Sequence, residues 1–337
     1  MLRSLYSGIS GMKVNQTKLD VIGNNLANVS TTAFKGSRVN FSTTISQTLG
    51  SASAASDSLG GVNGKQVGLG AQIASIDKIM SQGSMQSTSR SLDVAVDGSG
   101  YFMVATGPAL TGGNTDAITI KDNGVENMPA NNSLAYTRDG SFVLDNEGNL
   151  LTSKGYRVLG FAMKSGTNGG NNVDNIDDDG NVLYVESNNK TEAMDDKLVS
   201  LKIPDKVIKN GVKVAVKSFN ISADGLITGV LETGEITALG QIAMSSFKNE
   251  VGLTDIGNNM YEPSGSSGAA IISSGKNSAN RTSSGYGDIL QGYLEMSGVD
   301  MAEQFTDMIV ATKAFQAAGK TITTGDEILS EIINLKR

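Results

Sequence analysis

Residues 1–28 read MLRSLYSGISGMKVNQTKLDVIGNNLAN, and their apolar side chains recur in alternating steps of three and four. This spacing places one stripe along a helix, so the sequence predicts a helix over residues 2–28. Gly8, Gly11 and Gly23 lie within it, and glycine in a helix is best accommodated where another helix backbone comes close. The stripe consists of Leu2, Leu5, Ile9, Met12, Gln16, Leu19, Gly23 and Leu26.

The other end of the chain has the same spacing. Asp300 is followed three residues later by Glu303, which is the arrangement of a capping box, so a second helix is expected to begin near Asp300. Thr324 and Glu327 repeat the box and leave room for a break near Gly325. The second stripe consists of Met301, Phe305, Met308, Thr312, Phe315, Gly319, Ile322, Asp326, Leu329 and Ile333.

Two amphipathic helices at the ends of one chain favour a coiled-coil-like stem. The apolar side chains of one stripe do not offset the backbone entropy lost when a whole helix becomes ordered. We therefore expect the ends to order on packing against other copies, and we interpret the stripes as a polymer interface. The alternative is an ordinary helical hairpin inside one monomer. The predicted interface residues are Leu2, Leu5, Ile9, Met12, Leu19, Leu26, Met301, Phe305, Met308, Phe315, Ile322, Leu329 and Ile333.

Between the ends, the pattern changes to the period of two that is typical of strands. Residues 91–104, SLDVAVDGSGYFMV, predict a hairpin that turns at residues 97–100. A weak repeat follows, because residues 136–152 and 219–239 each place Asp-Gly before an apolar pair, a second glycine turn and another apolar strand. Two such units predict one β-domain assembled from separate parts of the chain, although Asp-Gly turns are common in any β protein.

The predicted fold class is mainly β, with a discontinuous β-domain body, a small inserted lobe or loop, and long N- and C-terminal α-helices. We predict terminal helices in 1–30 and 298–337, an extended connector in 31–75 and 283–297, a discontinuous β-domain in 76–163 and 205–282, and an insertion in 164–204.

Composition excludes several classes of function. The 337 residues contain no Cys and no His, which removes Ser-His-Asp and Cys-His catalysis, disulfides, and zinc or iron sites that need thiolate or imidazole. We therefore expect no enzyme and no cofactor. A net charge of -7 argues against nucleic-acid binding. The sequence also has no apolar run long enough to insert into a membrane and no N-terminal signal peptide, so export is expected to retain the N-terminus.

Residues 175–186, NIDDDGNVLYVE, have the spacing of an EF-hand calcium loop, with Asn where the first Asp is usual. The residues before it do not predict the entering helix of an EF-hand. A β-turn at residues 178–181 therefore explains the motif better, and calcium remains a weak candidate ligand. The candidate ligands are Asn175, Asp177, Asp179, Asn181 and Glu186.

Several blocks together resemble the bacterial flagellar axial proteins, the rod and hook family. LDVIGNNLANVSTTAFKGSR (19–38) resembles the N-terminal signature of that family, and SLDVAVDGSGYFMV (91–104) resembles a core block. Residues 136–161, 240–261 and 292–329 resemble the remaining blocks. The signature residues are Asn24, Asn25, Leu26, Ala27, Asn28, Phe34 and Lys35.

The resemblance implies an extracellular tube of identical subunits, exported through the flagellar type III apparatus, with the terminal helices around the channel. Its other partners would be the distal rod, hook cap and hook–filament junction proteins. The length and residues 216–249 most resemble hook members of the family, whose tube transmits torque from rod to filament. A distal rod protein is the alternative. A calcium-binding adhesin or a secreted glycan enzyme is an alternative from a different class.

Overall fold

The structure is a computed structural model. It describes residues 2–54, 60–110, 118–121, 124–129, 131–168, 171–176, 181–187, 193–209, 211–273 and 287–335. Within these limits the chain divides into two compact units. Unit 1 comprises residues 1–30, 34–81 and 298–337, and unit 2 comprises residues 31–33 and 82–297.

The described residues are mainly β, with a long helix at each end, which confirms the predicted fold class. Helix α1 spans Leu2–Ala27, helix α2 spans Met301–Leu335, and a 3₁₀ turn spans Glu250–Gly252. The strands are β1 (Ser37–Thr43), β2 (Ser46–Gly50), β3 (Lys65–Gly68), β4 (Ala71–Lys78), β5 (Met85–Ser87), β6 (Val94–Asp97), β7 (Tyr101–Thr106), β8 (Ile118–Lys121), β9 (Gly124–Asn127), β10 (Ser133–Thr137), β11 (Phe142–Leu144), β12 (Leu150–Thr152), β13 (Arg157–Asn168), β14 (Asn171–Asp174), β15 (Ala193–Ser200), β16 (Lys206–Lys209), β17 (Val212–Ile221), β18 (Leu226–Leu231), β19 (Ile236–Ile242), β20 (Met244–Ser246), β21 (Thr254–Gly257), β22 (Met260–Glu262), β23 (Ile271–Ser273), β24 (Asp288–Gln291) and β25 (Tyr293–Glu295).

In unit 1 the two helices pack side by side and run antiparallel. Asn25, near the end of α1, bonds to Gln304 near the start of α2, while a Cβ atom on Gly325 would lie 2.9 Å from Cδ2 of Leu5. The expectation that the ends order only on assembly is therefore wrong for this structure. Each helix supplies the other with the buried surface that a single stripe lacks.

Helix α2 starts where it was predicted to start, and the break that the second capping box left possible near Gly325 does not occur. The carboxylate of Asp300 accepts the amide hydrogens of Ala302, at 2.8 Å, and of Glu303, at 3.3 Å, and so caps the helix. The helix continues through Gly325, which is buried. Glycine at this position makes room for a side chain of α1 and does not end the helix.

The segment predicted to be an extended connector forms two antiparallel ribbons in unit 1. Strands β1 and β4 pair from Ser37 with Lys78 to Thr43 with Ala71. Strands β2 and β3 form the second ribbon, with Ser46 opposite Gly68. All side chains of β3, and all of β2 except Gly50, are exposed. An isolated two-stranded ribbon of this kind is marginally stable in water.

In unit 2 the described strands β7–β23 form one antiparallel network in which β7 is central, and the pairs β6–β24 and β5–β25 form two separate ribbons. Strand β7 pairs with β10, β13 and β20. The predicted hairpin between β6 and β7 is wrong, because β6 pairs with β24 instead. The chain does turn at Gly98 and Gly100, both of which have positive φ. The two strands are buried almost throughout, and each pairs with strands that are not its neighbours in the sequence.

The two predicted repeats both form hairpins in this network. Strand β11 pairs with β12 in the first, and β18 pairs with β19 in the second. Gly148 and Gly234 occupy the corresponding turns with φ of 81° and 84°. In the insertion at 164–204, β14 and β15 both pair with β13, so the described part of the insertion adds strands to unit 2.

Aromatic side chains form a compact part of the core of unit 2. Tyr101 meets Phe247 and Tyr261 edge to face, with ring centroids 5.7 and 5.9 Å apart, and Tyr136 meets Phe247 at 5.0 Å. Burial raises the pKa of each of these three tyrosines above its ordinary value. They remain neutral and serve as packing groups.

Candidate functional site

Small residues let the helix backbones approach closely along the contact between α1 and α2. A Cβ atom on Gly8 would lie 2.8 Å from Oγ1 of Thr321 and 3.3 Å from the carbonyl oxygen of Ala318. Gly11 faces the Cβ atom of the same Ala318. Gly8 and Gly11 therefore lie where α2 approaches α1 closely, whereas a Cβ atom on Gly23 would meet nothing within 4 Å.

Larger apolar and polar groups complete the contact. Val14 and Ile22 of α1 and Ala311 of α2 are buried. Lys18 forms an ion pair with Asp307 at 3.2 Å. This pair is partly exposed, so it favours the antiparallel register more than it stabilises the fold.

Asn25 of the family signature joins three elements of unit 1. Its side-chain nitrogen donates to the carbonyl oxygen of Ser37, at 2.8 Å, and to Oε1 of Gln304, at 3.0 Å. Its side-chain oxygen accepts the amide hydrogen of Ser37 at 2.9 Å. The end of α1 is thereby fixed to strand β1 and to α2. Loss of this side chain would leave buried backbone groups without partners.

Other signature residues surround the same region. Lys35 is buried, with 1% of its surface exposed, and its Nζ donates to the carbonyl oxygen of Ser81 at 2.9 Å. Asn28 donates from its side chain to the carbonyl oxygen of Asn24 at 3.0 Å and so closes the last turn of α1. The carbonyl oxygen of Phe34 accepts the amide hydrogen of Gly298 at 3.1 Å. In this structure these residues stabilise the subunit itself. Leu26 is half-buried and Ala27 is exposed.

The structure divides the predicted interface residues into two groups. One group is half-buried within unit 1 and consists of Leu5, Met12, Leu19, Leu26, Met308, Ile322 and Leu329. The other group is exposed and consists of Ile9, Met301, Phe305, Phe315 and Ile333. The side chain of Leu2 lies outside the described residues. The stripes predicted from the sequence thus contribute both to the contact within the subunit and to its surface.

The exposed apolar surface is larger than the sequence analysis predicted. Ile309 and Leu335, for example, are 62% and 86% exposed. The missed residues are Tyr6 on α1 and Ile309, Val310, Ile328, Ile332 and Leu335 on α2. A heptad template finds only one stripe, whereas α2 is apolar on more than one side. A count of apolar residues around its full circumference would have found the second stripe.

We use the name outer stripe for the exposed apolar residues of α2 taken together, which lie on more than one side of the helix. These are Met301, Phe305, Ile309, Val310, Phe315, Ile328, Ile332, Ile333 and Leu335. A group of large apolar side chains that remains exposed in the subunit indicates an interaction site.

The calcium candidate is only partly described. The side-chain oxygen of Asn175 accepts the amide hydrogen of Met163 at 2.9 Å, and its nitrogen donates to the carbonyl oxygen of Leu239 at 2.7 Å. Asn181 is half-buried and Glu186 is exposed, while Asp177 and Asp179 lie outside the described residues. Among the residues that the structure describes, no three or more acidic side chains are grouped so as to hold a metal ion. Calcium binding stays a prediction, which calorimetric titration with calcium would test.

Of the described helices, neither α1 nor α2 is sufficiently long and apolar to span a bilayer.

Comparison with known proteins agrees with the architecture. The profile of the "Flagella basal body rod protein" family matches residues 5–35, and that of the "Flagellar basal body rod FlgEFG protein C-terminal" family matches residues 290–335. The "Flagellar hook protein FlgE/F/G D1 domain" profile matches residues 124–229. The matches thus include both helices and part of the β network.

Similar proteins match over the whole chain. The flagellar basal-body rod protein FlgG of Bacillus subtilis is 42% identical over 338 residues, with all of both chains covered. The flagellar hook protein FlgE of Borreliella burgdorferi is 31% identical over 447 residues, again with all of both chains covered. The solved Helicobacter pylori flagellar hook protein FlgE2 is 11% identical, with a TM-score of 0.40, and the match covers 63% of this chain and all of that one.

The chain is a structural, non-enzymatic subunit of the bacterial flagellum. It belongs to the flagellar rod and hook protein family, and it is a component of the basal body or hook.

Proposed function

We propose that this protein is the structural subunit of the flagellar hook, and that it polymerises into a flexible tube that transmits torque from rod to filament. The observation that carries the assembly part of this proposal is the outer stripe of α2. Burial of the aliphatic and aromatic groups that remain exposed in the single subunit would stabilise an assembly by about 25 cal/mol per Å² of apolar surface.

A second copy of the chain is the partner that best fits the outer stripe. Helix α2 has 35 residues and α1 has 26, so the helices are about 52 and 39 Å long at 1.5 Å per residue. Helix α1 is too short to cover all of α2. The exposed residues Ile332, Ile333 and Leu335 lie at the end of α2, beyond the contact of Leu5 with Gly325. The same helices from neighbouring subunits would supply the missing apolar surface.

The ribbons of unit 1 supply further surface for assembly. The exposed apolar residues of the ribbons and of the segments between their strands are Phe41, Ile45, Leu49, Val62, Val67, Leu69, Ile73 and Ile76. Strands β2 and β3 are exposed on both faces, which is unusual for a sheet that acts alone. We propose that contacts between subunits cover the ribbons as well as the helices.

The proposed arrangement is the one that the resemblance to the rod and hook family implies. The terminal helices, residues 1–30 and 298–337, would form the wall around the channel. The β-domain, residues 76–163 and 205–282, and the insertion at 164–204 would face outward. Only 18% of the residues are charged, so neighbouring outer surfaces would slide past one another with few ion pairs to break as the tube bends.

The resemblance of residues 216–249 to hook proteins favours the hook over the distal rod. The insertion at 164–204 does not separate the two, because the Bacillus subtilis rod protein matches this chain over the full length of both. The relatives include both rod and hook proteins. Electron microscopy of tubes assembled from the purified chain tests the choice. Curved or supercoiled tubes agree with a hook, whereas straight and rigid tubes identify a distal rod.

The assembly interface is tested with a matched pair of variants of α2. Ile309→Glu places a charge in the outer stripe, and Gln316→Glu places a charge at an exposed polar position of the same helix. We expect Ile309→Glu to abolish tubes while the subunit stays folded, and Gln316→Glu to assemble normally. Equal assembly by both variants would contradict the proposed interface.

The remaining partners follow from a place in the hook. We propose contacts with the distal rod, hook cap and hook–filament junction proteins, and export to the cell exterior by the flagellar type III apparatus without cleavage of a signal peptide. Mass spectrometry of the secreted chain tests the last point. The N-terminal residues should be intact, and secretion should stop in a strain that lacks the export apparatus.

A further inference from the structure

A buried ion pair in unit 2 lies outside the proposed assembly surface. Nε of Arg138 donates to Oε2 of Glu295 at 2.8 Å, and the two side chains are only 3% and 1% exposed. The other carboxylate oxygen of Glu295 accepts the amide hydrogen of Gly83 at 2.8 Å. The backbone carbonyl oxygen of Glu295 accepts the amide hydrogen of Ala33, also at 2.8 Å.

The guanidinium group of Arg138 is held by the turn between β6 and β7. It donates to the carbonyl oxygens of Gly100, at 3.0 Å, of Val96, at 3.2 Å, and of Gly98, at 2.8 Å. Its central carbon lies 5.7 Å from the centroid of the Tyr101 ring. Arg138 therefore connects Glu295 to the most buried part of the sheet. A lysine could not make all of these contacts.

Glu295 contacts every segment through which the chain enters or leaves unit 2. This unit comprises residues 31–33 and 82–297, so its boundaries fall beside Ala33, just before Gly83 and just after Glu295. The segments also approach one another closely. A Cβ atom on Gly83 would lie 2.1 Å from the carbonyl oxygen of Met296.

The first of these segments has two more attachments to unit 2. Thr32 donates from its hydroxyl to the carboxylate of Asp139 at 3.1 Å. The side-chain nitrogen of Asn259 donates to the carbonyl oxygen of Thr32 at 2.8 Å. Ala33 has a φ of 54°, so these contacts hold it in the left-handed region that L-residues rarely adopt.

Stability alone does not account for this arrangement. The desolvation of two buried charges can exceed their mutual attraction, and apolar replacements of such pairs are often neutral or stabilising. A buried pair that bonds to each connecting segment specifies the path of the backbone, which two apolar side chains would not do.

We propose that Glu295 and Arg138 are positioning residues that fix the paths of the three connecting segments where they enter unit 2. Torque applied to the terminal helices then passes into the β-domain without swinging of these segments. The statement about torque rests on the proposed function of the protein as the subunit of a torque-transmitting tube.

Hydrogen exchange of the full chain tests the positioning directly. The variant R138M/E295M removes both charges and the acceptor for Gly83, whereas R138M/E295Q removes both charges but retains an acceptor oxygen. We expect the amide hydrogen of Gly83 to exchange about 100-fold faster in R138M/E295M than in the wild type. This corresponds to a roughly 100-fold decrease in the equilibrium constant that favours the closed, protected form over the open form. Glutamine at position 295 should restore most of the protection. The variant K209M/E235M, which removes a half-buried ion pair elsewhere in the same unit, should leave the exchange of Gly83 unchanged.

Two results would overturn the positioning role. One is full protection of Gly83 in R138M/E295M. The other is equally accelerated exchange in strand β7, because a global effect would mean that the pair contributes to stability alone.

The mechanical statement is tested on assembled tubes. Tubes of R138M/E295M should lose bending stiffness, whereas tubes of K209M/E235M should keep it. Unchanged stiffness with accelerated exchange at Gly83 would refute the mechanical role. Straight wild-type tubes would refute the proposed hook function but would not change the exchange result at Gly83. Failure of the proposed function and failure of the positioning role are therefore distinguishable.

Discussion

Gly8 offers a quantitative test of the contact between α1 and α2. The substitution Gly8→Ala adds one methyl group where Oγ1 of Thr321 would be 2.8 Å away and Cγ1 of Ile322 would be 3.0 Å away. The threonine hydroxyl cannot move freely, because it donates to the carbonyl oxygen of Ala318 at 2.7 Å. The new methyl group therefore requires the helices to separate.

Two other glycines of α1 serve as controls for helix propensity. A Cβ atom on Gly11 would lie 3.7 Å from the Cβ atom of Ala318, which is an ordinary contact, and a Cβ atom on Gly23 would meet nothing within 4 Å. Alanine is favoured over glycine in a helix by about 1 kcal/mol, so both controls should stabilise unit 1 by about that amount.

At Gly8 the same gain in propensity is opposed by overpacking, which costs about 1–3 kcal/mol. Relative to the wild type, Gly8→Ala should therefore destabilise unit 1 by about 0–2 kcal/mol. The Gly8→Ala variant should be less stable than the Gly11→Ala variant by about 1–3 kcal/mol.

Urea unfolding followed by far-ultraviolet circular dichroism measures this difference, because both described helices belong to unit 1. Tyrosine fluorescence should be unchanged, since all tyrosines except Tyr6 lie in residues 82–297. Equal stability of the Gly8→Ala and Gly11→Ala variants would refute the close approach at Gly8.

Three further predictions concern other parts of the chain. Deletion of residues 1–28 should leave a soluble β-body, seen by tyrosine fluorescence, that never forms tubes in electron micrographs; normal tube growth would contradict the role of α1. Ala33→Val should destabilise unit 2 in urea by about 1–3 kcal/mol, because a β-branched residue is strained at a φ of 54°, whereas Ala33→Gly should not be destabilising. Burial opposes ionisation of Asp145, but hydrogen bonds from Asn149 and from the amide of Glu147 outweigh it and hold the pKa of Asp145 below its ordinary value. Its stabilising contribution is therefore present above the unfolded pKa of about 3.9 and is lost as the pH falls through the lower folded pKa. The stability difference between wild type and Asp145→Ala, measured in urea, should be full at neutral pH and vanish in acid; a difference that persists in acid would contradict this account.

The ends of the chain could be predicted because their signals are local. The three-and-four spacing predicted α1 almost to its last residue, and Asp300 caps α2 as expected. The face of each helix was harder to predict. Heptad spacing does not distinguish side chains that pack within the subunit, such as Ile322, from those that remain on its surface, such as Phe305.

Strand pairing in unit 2 shows where local signals end. The hairpins at Gly148 and Gly234 were predictable, since a tight turn joins two strands that are neighbours in the sequence. The pairing of β6 with β24 was not, because almost 200 residues separate them and no local pattern encodes that register.

Glu295 was likewise invisible in the sequence as a functional residue. An isolated glutamate near the end of a strand is usually exposed, and only the structure places its carboxylate beside Arg138 and Gly83. The resemblance of residues 19–38 to the family signature identified the family, but it did not reveal that Asn25 and Lys35 bond within the subunit.

The central claim is that both ends of the chain build the wall of a tube. Its most direct test is electron cryomicroscopy of tubes grown from the purified full-length chain, at a resolution that separates helices from strands. The account predicts α1 and α2 around the channel, with Phe305 and Ile309 buried between neighbouring subunits and the β-domain outside. A tube in which these two side chains contact solvent, or a pure chain that grows no tube, would contradict it.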